Sequence, residues 1–278
     1  EIKLEELIGK LDLPDDTTQR FEVSGISITG NSLIPTDVLL SNIPAIYNAS
    51  DEPILKAPSQ SLYDLRVLKE IAAQPGVTRE VSARTMQGFT QYILGEYKKR
   101  NYGGIYVYVP SDIMIEQGRL NDNILEVRVM EFPASNVSVN RYDPNNQPAE
   151  QEYLRTSALY GWSPVKVGQV VNRKKLDDFL NLLNLNPDRY VSAVVSRGEE
   201  PNSLDVAYNL YEANPWHWFI QIDNSGTDER QWNPRAGLIN TNLLGYDDQL
   251  TAVYQSAWDS TFDDNYSVYG DYDFPIMT

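Results

Sequence analysis

The sequence predicts an α+β chain in which two modules of strand, helix, helix, strand, strand are followed by the first antiparallel strands of an outer-membrane β-barrel that is cut short. Three observations carry this. The five-element order occurs between residues 20 and 133 and returns at weaker contrast between 134 and 213, and an internal repeat constrains architecture more than any single motif. Each copy supplies helices for one face of a small sheet. From Trp216 to Thr278 four alternating segments are separated by turn-rich stretches, and a tilted transmembrane strand needs only about 9–11 residues. In the last of these, Tyr266, Val268, Gly270, Tyr272 and Phe274 share one face while Ser267, Tyr269, Asp271 and Asp273 share the other, the apolar-out, polar-in pleat of a porin-like wall. The smallest bacterial barrels have about eight strands and lipid tolerates no open edge, so the chain is read as an amino-terminal portion of a longer protein.

The elements follow in order. Residues 1–19 read as a short amphipathic helix (Leu4, Leu7, Ile8, Leu11) and a linker with Pro14, Asp15 and Asp16. Phe21, Val23, Ile26 and Ile28 mark one strand whose apolar parity changes across Ser24-Gly25, as at a bulge. A helix follows Pro35-Thr36-Asp37. Residues 48–60 read as loop, and Leu62 to Ala73 as an additional helix, so residues 48–83 stand as an insertion in the first module. Arg84 to Arg100 is a stronger helix, with Met86, Phe89, Ile93 and Tyr97 on one side and Lys98, Lys99 and Arg100 where the helix dipole favours positive charge. Asn101-Tyr102-Gly103-Gly104 ends it. Two strands come next, Ile105, Val107 and Val109 alternating with Tyr106 and Tyr108, then Leu125, Val127 and Val129. In the second module Val137 and Val139 open a strand, Glu150 to Tyr160 is a helix, and Leu176, Phe179, Leu180 and Leu183 form the stripe of another. Val191, Ala193 and Val195 give one strand, and Leu204, Val206, Tyr208 and Leu210 its partner after the turn at residues 198–203. The domains are therefore 1–19, 20–133, 134–213 and 214–278.

Composition narrows the partners. With 23 basic and 39 acidic residues the formal charge is −16, which argues against nucleic acid and against an anionic lipid surface, both of which reward Lys and Arg. There is no cysteine, hence no disulfide, thiolate metal site or cysteine nucleophile. No run of about 18 apolar residues predicts a transmembrane helix, and Glu1–Lys10 lacks a signal-peptide pattern, which suggests a mature or trimmed amino terminus.

The motifs give turn chemistry rather than catalysis. Counted from Asp223, the sixth and twelfth positions are Asp228 and Pro234, where a calcium loop needs Gly and Glu. Asp223-Asn224-Ser225-Gly226 is read as a turn. Asp247-Asp248 and Asp263-Asp264 are read as solvated hairpin ends, not metal ligands. His217, the only histidine, sits between Trp216 and Trp218 and is read as part of an aromatic girdle, not of a Ser-His-Asp triad. Gly103-Gly104 precedes a strand, not a helix, so no phosphate loop is read. No catalytic residue, metal or cofactor is expected.

Phe21 to Asn31, then Tyr102-Gly103-Gly104, Val109-Pro110 and Gly118-Arg119-Leu120 up to Glu131, are similar to the module ending "G-y-…-l-P-…-G-x-l-…-v-x-E" of the two-partner secretion transporters. These belong to the superfamily of outer-membrane assembly and translocation proteins, which carry periplasmic polypeptide-transport-associated (POTRA) domains ahead of a barrel. Asp223-Asn224-Ser225-Gly226, Gly237 and Asn242-Leu243-Leu244-Gly245-Tyr246-Asp247-Asp248 resemble the family's "D-N-x-G" and "N-L-x-G-x-D" barrel-start hairpins. The resemblance covers roughly residues 20–278. Two departures stand out: the insertion at 48–83, and the missing V-R-G-F motif of the loop inside the barrel.

The resemblance implies a bacterial outer-membrane protein whose POTRA domains, in the periplasm, capture an unfolded secreted polypeptide for passage through the barrel. It also implies that the strands Ile105, Tyr106, Val107, Tyr108, Val109 and Val191, Ala193, Val194, Val195 lie at sheet edges, where unpaired N–H and C=O groups either hydrogen-bond an extended client or simply pack on the neighbouring domain. The barrel-start residues Asp223, Asn224, Gly226, Asn242, Gly245 and Asp247 are given a structural role. Outer-membrane lipid is the second partner, and the truncated strands are expected to pair with another copy or lose order. Two other functions remain open: a barrel-assembly factor, and a soluble secreted β-rich ligand-binding protein.

Overall fold

The computed structural model describes residues 11–111, 114–115, 119–224, 232–256 and 266–275. The predicted helix of residues 1–10 lies outside them. The chain divides into two compact units, the first holding Glu1–Pro133 with the short segments Val170–Arg173 and Glu200–Ser203, the second the remainder.

In the first unit β1 (Arg20–Val23) and β2 (Gly25–Thr29) lead to α1 (Thr36–Ser41), β3 (Ile46–Asn48) and β4 (Leu62–Asp64). Then come α2 (Arg66–Ala73), β5 (Arg79–Ser82), α3 (Ala83–Lys99), β6 (Ile105–Tyr108), β7 (Met114–Ile115), β8 (Arg119–Leu120) and β9 (Ile124–Glu131). One sheet has the order β5-β1-β8-β7 and a second β2-β9-β6, while β3 and β4 form a hairpin. The predicted bulge is instead a change of sheet: β1 pairs with β5 and β8, whereas β2 runs parallel to β9. Ser24 explains the break, since its N–H donates to Asn123 O at 2.7 Å and its carbonyl accepts from Gly76 N–H at 2.8 Å.

The predicted helix over 62–73 begins only at Arg66. Leu62–Asp64 pairs antiparallel with Ile46–Asn48, and the Asp64 carboxylate accepts the Arg66 N–H at 3.0 Å, an Asx turn that starts the helix anew. The longest helix, α3, is capped by Ser82, whose hydroxyl accepts the Thr85 N–H at 3.0 Å. Its Met86, Phe89, Ile93 and Tyr97 are buried with Leu68, Ile71, Leu125 and Val127 in one apolar cluster, each such side chain worth about 1.5–3 kcal/mol of burial.

The second unit repeats the plan with β10 (Ala134–Tyr142), α4 (Thr156–Trp162), α5 (Arg173–Leu183), β11 (Arg189–Arg197) and β12 (Leu204–Glu212), in the sheet order β10-β12-β11. Helix α4 starts six residues later than predicted. The preceding backbone is committed elsewhere: Leu154 N–H donates to Glu212 Oε1 at 2.9 Å and Leu154 O accepts from Arg141 Nη2 at 2.6 Å.

Four further strands, β13 (Trp216–Asp223), β14 (Asn233–Asn240), β15 (Gln249–Ser256) and β16 (Tyr266–Asp273), form an open antiparallel meander in chain order. The register stacks Trp218, Leu238, Ala252 and Gly270 across the sheet, and likewise Ile220, Ala236, Tyr254 and Val268. One face is therefore apolar throughout its width, and Trp218, Ile220 and Val268 on it are 76%, 70% and 70% exposed. The opposite face carries Gln221, Arg235, Gln255 and Ser267. Neither Trp218, Leu250 nor Tyr272 enters a closed core.

Candidate functional site

Strand β6 is the outer strand of its sheet and β11 the outer strand of the other. Beside β6, Phe132 N–H donates to Gly104 O at 2.9 Å, and the register continues Ile105↔Glu131, Tyr106↔Met130, Val107↔Val129, Tyr108↔Arg128. In an antiparallel ladder hydrogen-bonded and non-hydrogen-bonded pairs alternate. Tyr106 and Tyr108 therefore turn their N–H and C=O groups toward β9, and Ile105 and Val107 turn theirs outward. Their side chains divide the other way: Ile105, Val107 and Val109 pack on the core cluster, and the Tyr106 and Tyr108 rings stack with centroids 5.4 Å apart.

A groove of about 350 Å³ begins where β6 starts, between Leu94 and Lys98 of α3 and the chain at Tyr102, Gly104 and Ile105. The same end of α3 is tied to β9 by Glu131, which accepts from Tyr97 Oη at 2.6 Å and from Leu33 N–H at 2.9 Å; burial first, then this carboxylate, pushes the Tyr97 phenol well above its ordinary range. The β3–β4 hairpin of the predicted insertion sits on another part of α3, against Gly88 and Gly95. A Cβ at Gly88 would lie 2.4 Å from Tyr63 Cβ, and one at Gly95 2.3 Å from Tyr47 Oη. The insertion therefore leaves β6 with a ladder partner on one side only among the described residues.

The edge of β11 is different. Ala213 N–H donates to Asp188 O at 2.8 Å, so by the same alternation Val191, Ala193 and Val195 point their backbone groups outward and Val194 points its own at Ala207. Asn184, just beyond α5, occupies the Val191 position: its side chain accepts the Val191 N–H at 2.6 Å and donates to the Val191 carbonyl at 3.0 Å. Among the described residues the outward groups of Ala193 and Val195 have no such cap. Asn184 stands within the sequence Leu182-Leu183-Asn184-Leu185-Asn186-Pro187, but nothing local to that run announces a strand seven residues later as its partner.

The barrel-start residues meet the second module. Gly245 takes φ +83°, and a Cβ there would lie 2.7 Å from Arg155 Cγ and 2.9 Å from Tyr153 O; its carbonyl accepts the Arg155 N–H at 3.0 Å. Asp247 Oδ1 accepts from Arg189 Nη2 at 2.8 Å and Asn186 Nδ2 at 2.9 Å, and its N–H donates to Asn242 Oδ1 at 2.9 Å. Asp248 is fully buried and accepts from Leu244 N–H and Tyr272 Oη. The reading of Asp247-Asp248 as solvated hairpin ends is thus corrected: a buried guanidinium and the turn's own amides enclose both carboxylates. Asp263-Asp264 and Gly226 lie outside the described residues. Asp223 pairs with Arg235 at 2.9 Å, and Asn224 is the last described residue before 225–231.

His217 faces away from Trp216 and Trp218, so the girdle reading does not hold for it. Its Nε2 is 2.7 Å from Asp188 Oδ2, the same oxygen that accepts from Thr241 Oγ1 at 2.6 Å. Hydroxyl and imidazole share one carboxylate oxygen instead of bonding each other, which is not a nucleophile–base pair. Nearby, burial pushes the Glu212 carboxyl up, against the opposing pull of Leu154 N–H and Arg141.

Two sheets with helices, each ending in an open outer strand, followed by a meander with one apolar face, define the fold of POTRA modules running into the wall of an outer-membrane barrel. Among solved structures, CdiB from Escherichia coli has that fold, with a TM-score of 0.61 over 96% of this chain and 42% of CdiB at 16% identity. CdiB from Acinetobacter baumannii gives a TM-score of 0.54 over 96% of this chain and 44% of its own at 17% identity. The chain thus spans less than half the length of either. No protein-family model matches it, and no curated protein does.

Proposed function

We propose that this chain is the receptor portion and first wall strands of an outer-membrane polypeptide translocator of the two-partner secretion type. The observation that carries the reading is the uncapped, alternating edge of β6 beside a groove. Outward N–H and C=O groups at Ile105 and Val107 recognise any extended backbone, which suits a client that arrives unfolded. The uncapped Ala193 and Val195 offer a second, shorter edge. CdiB is a two-partner secretion transporter, which supports the choice of job. Translocator and assembly factor share the fold, and the "N-L-x-G-x-D" turn favours secretion.

The apolar face of the meander supports a position in the outer membrane, with Trp218, Ile220 and Val268 toward lipid and the modules in the periplasm. The test is binding of a labelled alternating Val-Thr peptide to the chain in detergent before and after Val107→Pro and Ala193→Pro. Each removes an outward N–H and leaves the internal ladder intact. A drop of about tenfold or more in either variant is expected; unchanged affinity in both removes edge pairing. If the protein extended to its natural end stayed monomeric without detergent, the wall reading would fail.

A further inference from the structure

The groove beside β6 has a charge that the rest of the chain does not share. Its lining includes Lys98 from the last turn of α3 and Arg173 from the short segment that belongs to the first unit, and it includes no carboxylate. The chain as a whole carries −16. Neighbouring cations are already engaged: Lys99 and Arg100 both bind Glu96, each at 2.7 Å. Lys98 and Arg173 have no carboxylate partner among the described residues. The Arg173 side chain is placed by Gly103, whose missing Cβ leaves room for it 3.1 Å away, and the Gly103 N–H donates to Val171 O at 2.9 Å. The rest of the lining includes Leu94, Asn101, Tyr102 and Ile105. Ile105 is also the first residue of the outward-facing edge.

We infer that this groove is an acidic-residue subsite: it takes an Asp or Glu side chain of the client at the end of the segment that pairs with β6. The inference rests on the edge-pairing reading above and adds to it a choice of sequence. Backbone pairing along Ile105 and Val107 is indifferent to side chains, whereas two uncommitted cations within reach of the end of that edge favour a carboxylate and repel Lys or Arg. Ile105 shares the groove with both cations, so the acid falls next to the paired residues and not among them.

The probes are four labelled Val-Thr peptides with Asp-Asp or Lys-Lys at the amino or the carboxyl end, titrated by fluorescence anisotropy against the full chain in non-ionic detergent. One of the two acidic peptides, the one whose charged end reaches the groove, is expected to bind at least fivefold more tightly than its basic counterpart, and the preference to shrink as salt rises. In Lys98→Glu/Arg173→Glu it should vanish or invert, while the affinity of an uncharged Val-Thr peptide stays within twofold. Equal binding of acidic and basic peptides to the unaltered chain overturns the subsite, as does an acidic preference that survives the double charge reversal. A chain that bound vesicles of anionic phospholipid through Lys98 and Arg173 without discriminating the peptides would also overturn it. The parent reading is judged separately: if Val107→Pro abolishes peptide binding and charge reversal changes nothing, the edge stands and the subsite falls.

Discussion

Asp247→Asn should loosen the join between the second module and the wall. Asparagine keeps the size and tolerates the positive φ of 61° at this position, so the change removes charge and little else. Arg189 has 2% of its side chain exposed, and among the described residues Asp247 is the one carboxylate in ion-pair contact with it, Glu212 acting on it only at longer range. What remains for the guanidinium is Leu183 O, at 2.7 Å from Nη2 and 3.1 Å from Nε; Nη1 already lacks a protein partner. Breaking a buried pair from one side costs about 3–5 kcal/mol. The retained carbonyl puts the loss near about 3 kcal/mol, and at about 1.4 kcal/mol per tenfold that is about a hundredfold faster local opening. Amide hydrogen exchange across residues 183–191 and 241–249 reads this directly. Because the charge left behind is the main cost, Asp247→Asn/Arg189→Met should recover most of the protection. Less than threefold acceleration in the single variant, or a double variant worse than the sum of its singles, would refute the reasoning.

Asn184→Ala should free both outward groups of Val191 and speed its amide exchange about fivefold, the worth of one hydrogen bond of about 1 kcal/mol to its N–H, while β6 is unchanged; equal exchange would mean the cap carries no weight. Gly88→Ala drives a methyl against Tyr63 Cβ next to the backbone and should cost about 1–3 kcal/mol in urea unfolding. Gly95→Ala meets only the far end of Tyr47 and should cost less. Acid should weaken the first unit before the second. Asp16 and Glu96 have folded values below their ordinary 3.8 and 4.5, because hydrogen bonds from Ser82 and Thr18, and from Lys99 and Arg100, outweigh burial. Their contribution is present above those values and is lost as pH falls through the folded ones. In the second unit Glu152 is lowered by the Thr156 N–H, but Glu212 is raised by burial and has the opposite sign, its contribution being present below 4.5 and lost as pH rises through its folded value. Opening free energies from exchange, with the intrinsic rate at each pH divided out, should therefore fall more steeply from about pH 5 to about pH 3 in β1, β5 and α3 than in β10–β12.

Where local pattern and tertiary environment agree, the fold is legible in the sequence. Met86, Phe89, Ile93 and Tyr97 recur at helical spacing and all reach the core of the first unit, and the alternation of β12 and of the four wall strands survives because each has two distinct faces. The misreadings fall where long-range hydrogen bonds overrule local preference. Leu62–Asp64 looks helical until it pairs with Ile46–Asn48; residues 150–155 look helical until Glu212 and Arg141 take the backbone of Leu154; Arg79–Ser82 is too short to announce itself before it pairs with β1. The site divides in the same way. The β6 and β11 strands are visible as alternating runs, whereas the Asn184 cap, the Asp247–Arg189 pair and the cationic groove join residues distant in the chain, with no local signature for any of them.

The most direct test of strand capture is residue-resolved amide exchange of β6 with and without the acidic Val-Thr peptide. The account predicts an alternating record: added protection at Ile105 and Val107, whose N–H groups face outward, and none at Tyr106 and Tyr108, which already donate toward β9. Uniform protection of all four, or none at Ile105 and Val107 in the presence of saturating peptide, would contradict it.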